Sequence, residues 1–283
     1  MMKKTKKHIY LLSPLFTYFV IFFFVPLFIL FIYSFWRKTS TGLIPTFTLF
    51  NYISIFSKQL YPIVILRSIR IGFITSIICI LLSYPVAYSL TFKYKRMQDF
   101  VLYLILISLF SSYLVRVYAW KTILGSNGLF NQVLKYLGII EEPLTFLLYS
   151  PTAIIITLVF IFTPFTILPV YSSLQNISVD LLEAARDLGA SRMSTFYRVM
   201  LPLSMPGVIT GFIFSFVLAA GDYVTPQMVG GTEGLMVGRV VQDQFGMTYN
   251  WPFGSALAYF TIFVLIFLIN CVIWITRLLK LRR

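Results

Sequence analysis

The run Leu182-Glu183-Ala184-Ala185-Arg186-Asp187-Leu188-Gly189, followed by Leu201-Pro202, concentrates the chain's recognition chemistry in one place. It sets an acid, paired small residues, a turn glycine and a terminal Leu-Pro inside an otherwise apolar sequence. The chemistry is docking rather than bond cleavage. Asp180 can N-cap a helix, and Glu183 three residues later completes a capping-box-like D-x-x-E. Leu181, Leu182, Ala184, Ala185 and Leu188 then present an apolar face whose small members let a partner's backbone approach closely. Gly189 is placed to end the helix in the left-handed conformation. Ser191 can cap a second short helix over about Arg192–Met200, which Pro202 stops, and Pro206 starts the following apolar run near its first turn. The expected product of segment 180–202 is a two-helix knob.

Little else in the sequence could react. His8 is the only histidine, and Cys79 and Cys271 both lie in apolar runs. No metal site or catalytic constellation can be assembled from them. No G-x-x-x-x-G-K-[ST] is present, so the chain cannot cradle ATP phosphates by that route, and no cofactor is expected in it. Asp222, at the end of an apolar run and beside Tyr223, is an ionisable group near membrane depth, which makes it a functional hypothesis by default. Capping a helix or meeting Arg116 are its structural alternatives. Trp120, Tyr118, Trp251 and Tyr249 suit an interfacial aromatic belt. Asp222, Tyr223, Trp120 and Trp251 are the substrate-path candidates.

These residues must be positioned by membrane helices. Of 283 residues, 59% are hydrophobic and 11% charged, with a mean hydropathy of +0.87; soluble domains carry about a quarter charged residues. The net charge of +14 clusters beside apolar runs. It therefore points to topology and the lipid bilayer rather than to nucleic acid. A span needs roughly 20 apolar residues. About six transmembrane helices are expected, near 9–35, 69–92, 100–117, 152–171, 207–220 and 253–275, in an all-α polytopic helix bundle read as a single domain over 1–283. The N-terminal apolar run is too long for a signal peptide and reads as a retained first span. Lys3, Lys4, Lys6 and Lys7, the loop Lys93-Tyr94-Lys95-Arg96, and Arg277, Lys280, Arg282 and Arg283 fall on one side, which is the cytoplasmic side by the positive-inside rule. Both termini and segment 180–202 lie there. Short interfacial helices are expected in 118–151.

Glu-Ala-Ala, three residues, Gly, nine residues, then Val199-Met200-Leu201-Pro202 resembles the signature of ABC-importer permeases, with Val199 replacing its isoleucine. The resemblance implies a type I ABC-importer permease fold in a bacterial inner membrane. It also implies that Glu183, Ala184, Ala185, Gly189, Leu201 and Pro202 belong to a coupling element that docks on a separate pair of ATP-binding subunits, where the ATP is used. Asn51-Tyr52, Tyr84-Pro85-Val86-Ala87-Tyr88, Arg116-Val117-Tyr118-Ala119-Trp120, Gly221-Asp222-Tyr223-Val224-Thr225-Pro226 and Asn250-Trp251-Pro252-Phe253-Gly254-Ser255 look like the spermidine/putrescine permease group. That likeness implies polyamine import, a second, similar but distinct permease chain, and a periplasmic substrate-binding protein. The same machine for an organic phosphonate, an opine or an amino-acid-like compound is the alternative. A membrane enzyme or channel is the other class: the first lacks a reactive cluster, and the second has no use for a docking knob.

Overall fold

The computed structural model describes residues 14–40 and 42–281; the lysines of the N-terminal tail, His8 and the last two arginines lie outside them. The order is α1 (Pro14–Tyr33), β1 (Arg37–Thr39), β2 (Gly42–Ile44), α2 (Phe50–Ser57), α3 (Leu60–Lys93), α4 (Lys95–Phe110), α5 (Tyr113–Leu124), α6 (Leu129–Tyr136), α7 (Pro151–Gln175), α8 (Val179–Asp187), α9 (Arg192–Ala220), α10 (Val224–Val229), α11 (Val237–Gly246) and α12 (Trp251–Leu281). Among the described residues five helices, α1, α3, α7, α9 and α12, are long and apolar enough to cross a membrane, and α4 with the segment Tyr113–Tyr136 (α5 and α6) makes a sixth, bent candidate.

Three of the expected spans differ from the helices found. The run 100–117 is not one rod, because α4 stops at Phe110 and α5 leaves it at 93°. Ser111 is extended and Ser112 stands at the N-cap of α5. The Ser112 side chain makes no capping hydrogen bond, so the break is seen in the backbone alone. The second and fifth spans begin earlier than 69 and 207, at Leu60 and Arg192. Charged residues near a helix end do not stop a helix, only an apolar count. The first span's residues 9–13 fall outside the described residues.

The chain forms two compact units, residues 14–62 with 240–264 and residues 63–239 with 265–281. In the first, β1 and β2 form an antiparallel hairpin with Lys38 opposite Leu43. Asn51 holds the turn after α1, its amide donating to the carbonyls of Ser34 and Trp36, both at 2.8 Å. The Tyr259 hydroxyl donates to the Leu27 carbonyl at 2.5 Å.

The second unit is organised around α7. Ser150 N-caps it by accepting from the Ala153 amide at 3.1 Å, and Pro151 occupies the first turn, where its missing N–H costs nothing. Ile154, Leu158 and Ile161 are fully buried along it. α9 crosses α7 at backbone contact. A Cβ on Gly207 would stand 2.4 Å from the Pro169 carbonyl oxygen, and one on Gly211 would stand 2.9 Å from Thr166 Cγ2. Small residues permit this approach, which in membranes replaces the hydrophobic drive that lipid cannot supply. Gly207→Val should cost about 1–3 kcal/mol or more by overpacking, and Gly211→Ala less. Thermal unfolding of the chain in lipid nanodiscs would register this as a lowered midpoint, larger for the first variant.

Candidate functional site

The segment joining α7 to α9 is fixed at both ends. Leu174, Ile177, Leu182 and Met200 are buried in one cluster with Ala87 and Leu90 of α3. That cluster also places the basic loop Lys93–Arg96 at the same end of the second unit as α8. Leu182, at 4% exposure, pins the knob to the bundle. The other apolar residues of α8 divide around it. Leu181 is exposed, and Leu188 is 89% exposed, so the single apolar face read from the sequence is two faces, one inward and one outward.

α8 starts two residues earlier than the capping-box pattern implies. Ser178 stands at the N-cap without a side-chain hydrogen bond, and Asp180 lies in the first turn. There its carboxylate opposes the helix dipole instead of capping. Buried Ile177 sets this start by holding the residue before the cap in the core. The other end follows the glycine. Gly189 has φ +83°, its amide donates to the Arg186 carbonyl at 2.8 Å, and the Ala190 amide donates to the Ala185 carbonyl at 3.1 Å. This paired closure is the Schellman arrangement. Ser191 then caps α9, its hydroxyl accepting from the Ser194 amide at 3.2 Å.

Pro202 does not stop a short helix, as its position in the sequence predicts. α9 runs on through it to Ala220, and residues Phe196–Met200 form a π-helical turn just before it. The wider turn makes room for the proline ring, which would otherwise meet the carbonyl one turn back. The Tyr84 hydroxyl and Ser204 Oγ lie 2.9 Å apart, and the Tyr84 ring meets Phe196 edge-on at 5.6 Å. α3 thereby braces the widened turn.

The exposed surface of this element carries Glu183, Ala184, Arg186, Asp187 and Gly189, with Ala185 half-buried. A cleft of about 550 Å³ opens beside it, lined by Ala185, Leu188, Gly189, Ser191, Ser194 and Arg198 among others. Leu201 and Pro202 are half-buried behind it. Sequence reasoning missed Leu188 as an outward anchor and Ser194 and Arg198 as cleft walls. The Ser191 cap was the available signal, because it fixes the phase of α9. The element thus presents an outward leucine beside small residues, flanked by both charge signs, and among the described residues no reactive cluster accompanies it.

The substrate-path candidates divide between the two units, with Asp222, Tyr223 and Trp120 in the second and Trp251 in the first. Asp222 is 8% exposed and caps α10, its two oxygens accepting from the Val224 amide at 3.2 Å and the Thr225 amide at 3.1 Å. The Tyr113 hydroxyl lies 2.9 Å from Thr225 Oγ1, tying this cap to α5. Burial pushes the Asp222 carboxyl above the ordinary carboxylate range, and hydrogen bonds from Thr225, Tyr113 and the Val224 amide pull it back. Tyr223 beside it is exposed. Trp120 packs edge-on against Phe160 at 5.4 Å. Trp251 belongs to the other compact unit, where it meets Phe245 edge-on at 5.8 Å. Arg67 donates to the Leu235 carbonyl at 3.3 Å. Arg116 is half-buried, with Nε and Nη1 enclosed and without a hydrogen-bond partner among the described residues.

With this geometry in hand, comparison with known proteins identifies the family. The profile of the binding-protein-dependent transport system inner membrane component matches residues 6–283. The chain belongs to that family. It is 38% identical over 210 residues to the spermidine/putrescine transport system permease protein PotB of Salmonella typhimurium (strain SL1344), covering 74% of this chain and 72% of the relative. It is 36% identical over 228 residues to the protein of the same name from Escherichia coli (strain K12), covering 81% and 82%. Among solved structures it resembles a chain of a bacterial alginate ABC transporter in complex with an alginate pentasaccharide-bound periplasmic protein, with a TM-score of 0.72, 15% identity, and coverage of 95% of this chain and 93% of that one. The architecture is therefore the all-α permease fold of type I ABC importers, in a multi-pass inner-membrane transport component.

The cap at Asp222 gives a stability prediction. Asp222→Ala should cost about 1–2 kcal/mol, the usual loss for a removed N-cap. Asp222→Asn, which keeps an acceptor, should cost less. Chemical denaturation in nanodiscs should place the two in that order.

Proposed function

We propose that this chain is one permease half of an ATP-driven importer of polyamines such as spermidine and putrescine. The observation that carries the reading is the knob itself. A Glu-Ala-Ala helix is closed by a left-handed glycine, anchored by Leu182, and joined without a break to a membrane-spanning helix. The 36–38% identity to spermidine/putrescine permeases over most of the chain supports the cargo.

In this mechanism a separate pair of ATP-binding subunits binds and hydrolyses ATP, and this chain holds none. Glu183, Ala184, Ala185 and Gly189 face the ATP-binding subunit, while Leu201 and Pro202 join the knob to α9. Closure of the ATP-binding pair displaces α8, and the packed α7–α9 crossing transmits the displacement as a rigid lever. A periplasmic binding protein delivers substrate to the opposite face, and a second, distinct permease chain completes the path. Both termini lie in the cytoplasm, on the side of α8 and of Lys93, Lys95 and Arg96. Asp222, Tyr223, Trp120 and Trp251 remain the proposed path residues. A cationic amine there would exchange water for aromatic faces and carbonyl oxygens as well as any carboxylate.

Two experiments test the reading. In the reconstituted transporter, Glu183→Lys and Gly189→Pro should reduce ATP-driven uptake to background while the chain still inserts, and the purified chain alone should hydrolyse no ATP. Normal uptake by both variants would refute the coupling role. For cargo, calorimetry on the cognate binding protein should show spermidine or putrescine bound in preference to phosphonates and amino-acid derivatives. Binding of one of the latter alone would transfer the same machine to an acidic solute, which the enclosed guanidinium of Arg116 would suit.

A further inference from the structure

Arg116 is a charged side chain that the coupling mechanism leaves unused. Its depth follows from its neighbours on α5. The Tyr113 ring stacks on Phe162 at 6.3 Å, and the Trp120 ring meets Phe160 edge-on at 5.4 Å. Arg116 lies between these anchors, at the i,i+3 and i,i+4 separations that make side chains neighbours on a helix. Phe160 and Phe162 stand near the middle of α7, which has 25 residues. At 1.5 Å per residue both are at least about 13 Å from either end of it. The middle of a helix that crosses the apolar layer lies inside that layer at any tilt. α4 gives the same depth from the other side. Val101 and Leu102 pack against the cluster that anchors Leu182, and α4 extends about 14 Å from Leu102 to the break at Ser111–Ser112. Half of a hydrocarbon core is about 15 Å.

At that depth a guanidinium needs acceptors and an opposite charge. Nε and Nη1 are enclosed and have no hydrogen-bond partner among the described residues. The chain's nine Asp and Glu residues all lie among the described residues, and none forms an ion pair with Arg116. Asp222 is joined to this part of α5 through Thr225 and Tyr113, but its two oxygens accept from the Val224 and Thr225 amides. The enclosure of Nε and Nη1 also shows that the side chain is not stretched toward headgroups, the usual escape of an arginine from hydrocarbon. Nη2 is not among the enclosed atoms, so it reaches the surface of the chain. Leu114, Val115 and Phe160 are exposed around it.

The chemistry of the occupant follows from the charge. Acyl chains at this surface would leave the guanidinium uncompensated. A polyamine carries the same sign and is repelled. Water alone would leave a fixed positive charge beside the path of a cationic cargo. A carboxylate on an adjoining protein chain supplies both the acceptor and the opposite charge, and such pairing is how ionisable groups persist inside membranes. Asp222 is the only acid buried among the described residues, and it is engaged, so a second copy of this chain has no free buried acid to offer. Apolar burial contributes little to association in lipid, so a polar contact there carries weight in fixing register and partner choice.

We infer, on the reading that a second, distinct permease chain completes the path, that Arg116 meets an aspartate or glutamate of that chain within the apolar layer. The pair sets the register of the two permease halves and selects a different chain over a second copy of this one.

Cross-linking tests this in the assembled transporter, with both permease chains, the ATP-binding subunits and phospholipid present. Arg116→Lys keeps the charge and offers an amine. A lipid-soluble carbodiimide joins that amine to a carboxylate in contact with it, forming an amide and releasing the urea. The expected product links this chain to the second permease, and peptide mass spectrometry places the link at position 116 and at one Asp or Glu of the partner. It should be absent from the unsubstituted transporter and from Arg116→Gln, which present no amine there. A link to the binding protein or to Asp222 would overturn the inference. So would the absence of any link in an Arg116→Lys transporter whose uptake stays near the unsubstituted level.

Charge reversal gives a second reading that does not depend on the lysine variant. Arg116→Glu should lower polyamine uptake by about tenfold or more, as expected when a buried charge pair is set against itself. Replacing each Asp and Glu of the second permease by Lys in turn should find one position that restores uptake in the Arg116→Glu background. Unchanged uptake in Arg116→Glu, or restoration at no position, would overturn the inference. Subunit composition separates this outcome from the broader reading. A transporter that purifies with two copies of this chain overturns both, whereas two different permeases without the link overturn the ion pair alone.

Discussion

The contact of α9 with α7 at Gly207 and Gly211 is the constraint from which the rest of the second unit follows. Neither position has room for a methyl group beside Pro169, Ser173 and Thr166. Two helices that touch along their backbones cannot slide by a fraction of a turn without a clash. In a bilayer, where lipid competes for apolar surface, close van der Waals contact is what holds helices together. The knob spans the short gap between these helices, and Leu182 and Met200 share its cluster with Leu174 at the end of α7. Pulling the knob free would expose several side chains worth about 1.5–3 kcal/mol each.

Buried polar groups in this unit are settled mostly within their own helices. Ser76, Thr157, Thr166 and Ser215 each donate to a carbonyl one turn back. This is the inexpensive way to hold a hydroxyl in apolar surroundings. The crossing faces can therefore be lined with small polar residues, which pack closely and leave few groups unsatisfied. Exceptions include the Thr75 hydroxyl and two enclosed guanidinium nitrogens of Arg116, which have no hydrogen-bond partner among the described residues.

What could be read from the sequence depended on whether a feature was local. Gly189 announces its own left-handed turn, because a helix that ends where a side chain would clash selects glycine. Ser191 announces the start of α9 for a similar reason. Five of the six expected spans coincide in rough position with a long apolar helix. The break at Ser111–Ser112 was not legible, because averaging over a window treats two serines as mild dilution of an apolar run. Pro202 misled in the opposite direction. Proline interrupts an isolated helix, but a π-helical turn braced by Tyr84 absorbs it here, and Tyr84 is 118 residues away in sequence. Asp180 matched a capping pattern two residues out of phase, because burial of Ile177, a tertiary effect, chose the cap.

Asp222 shows why a lone carboxylate near membrane depth is ambiguous evidence about cargo. Such a residue is costly to bury and so invites a functional reading. Here its two oxygens already accept from the first turn of α10, and Tyr113 and Thr225 close around it. A bound ammonium would have to share oxygens that are oriented toward backbone amides, from a residue with little surface. Tyr223 next to it has the opposite character: its backbone starts α10, its carbonyl accepting from the Gln227 amide at 3.3 Å, while its ring is exposed. If polyamine passes this point, the cap's role is to hold Tyr223 in place, and recognition of the cation falls to the ring and to groups contributed by the partner chains.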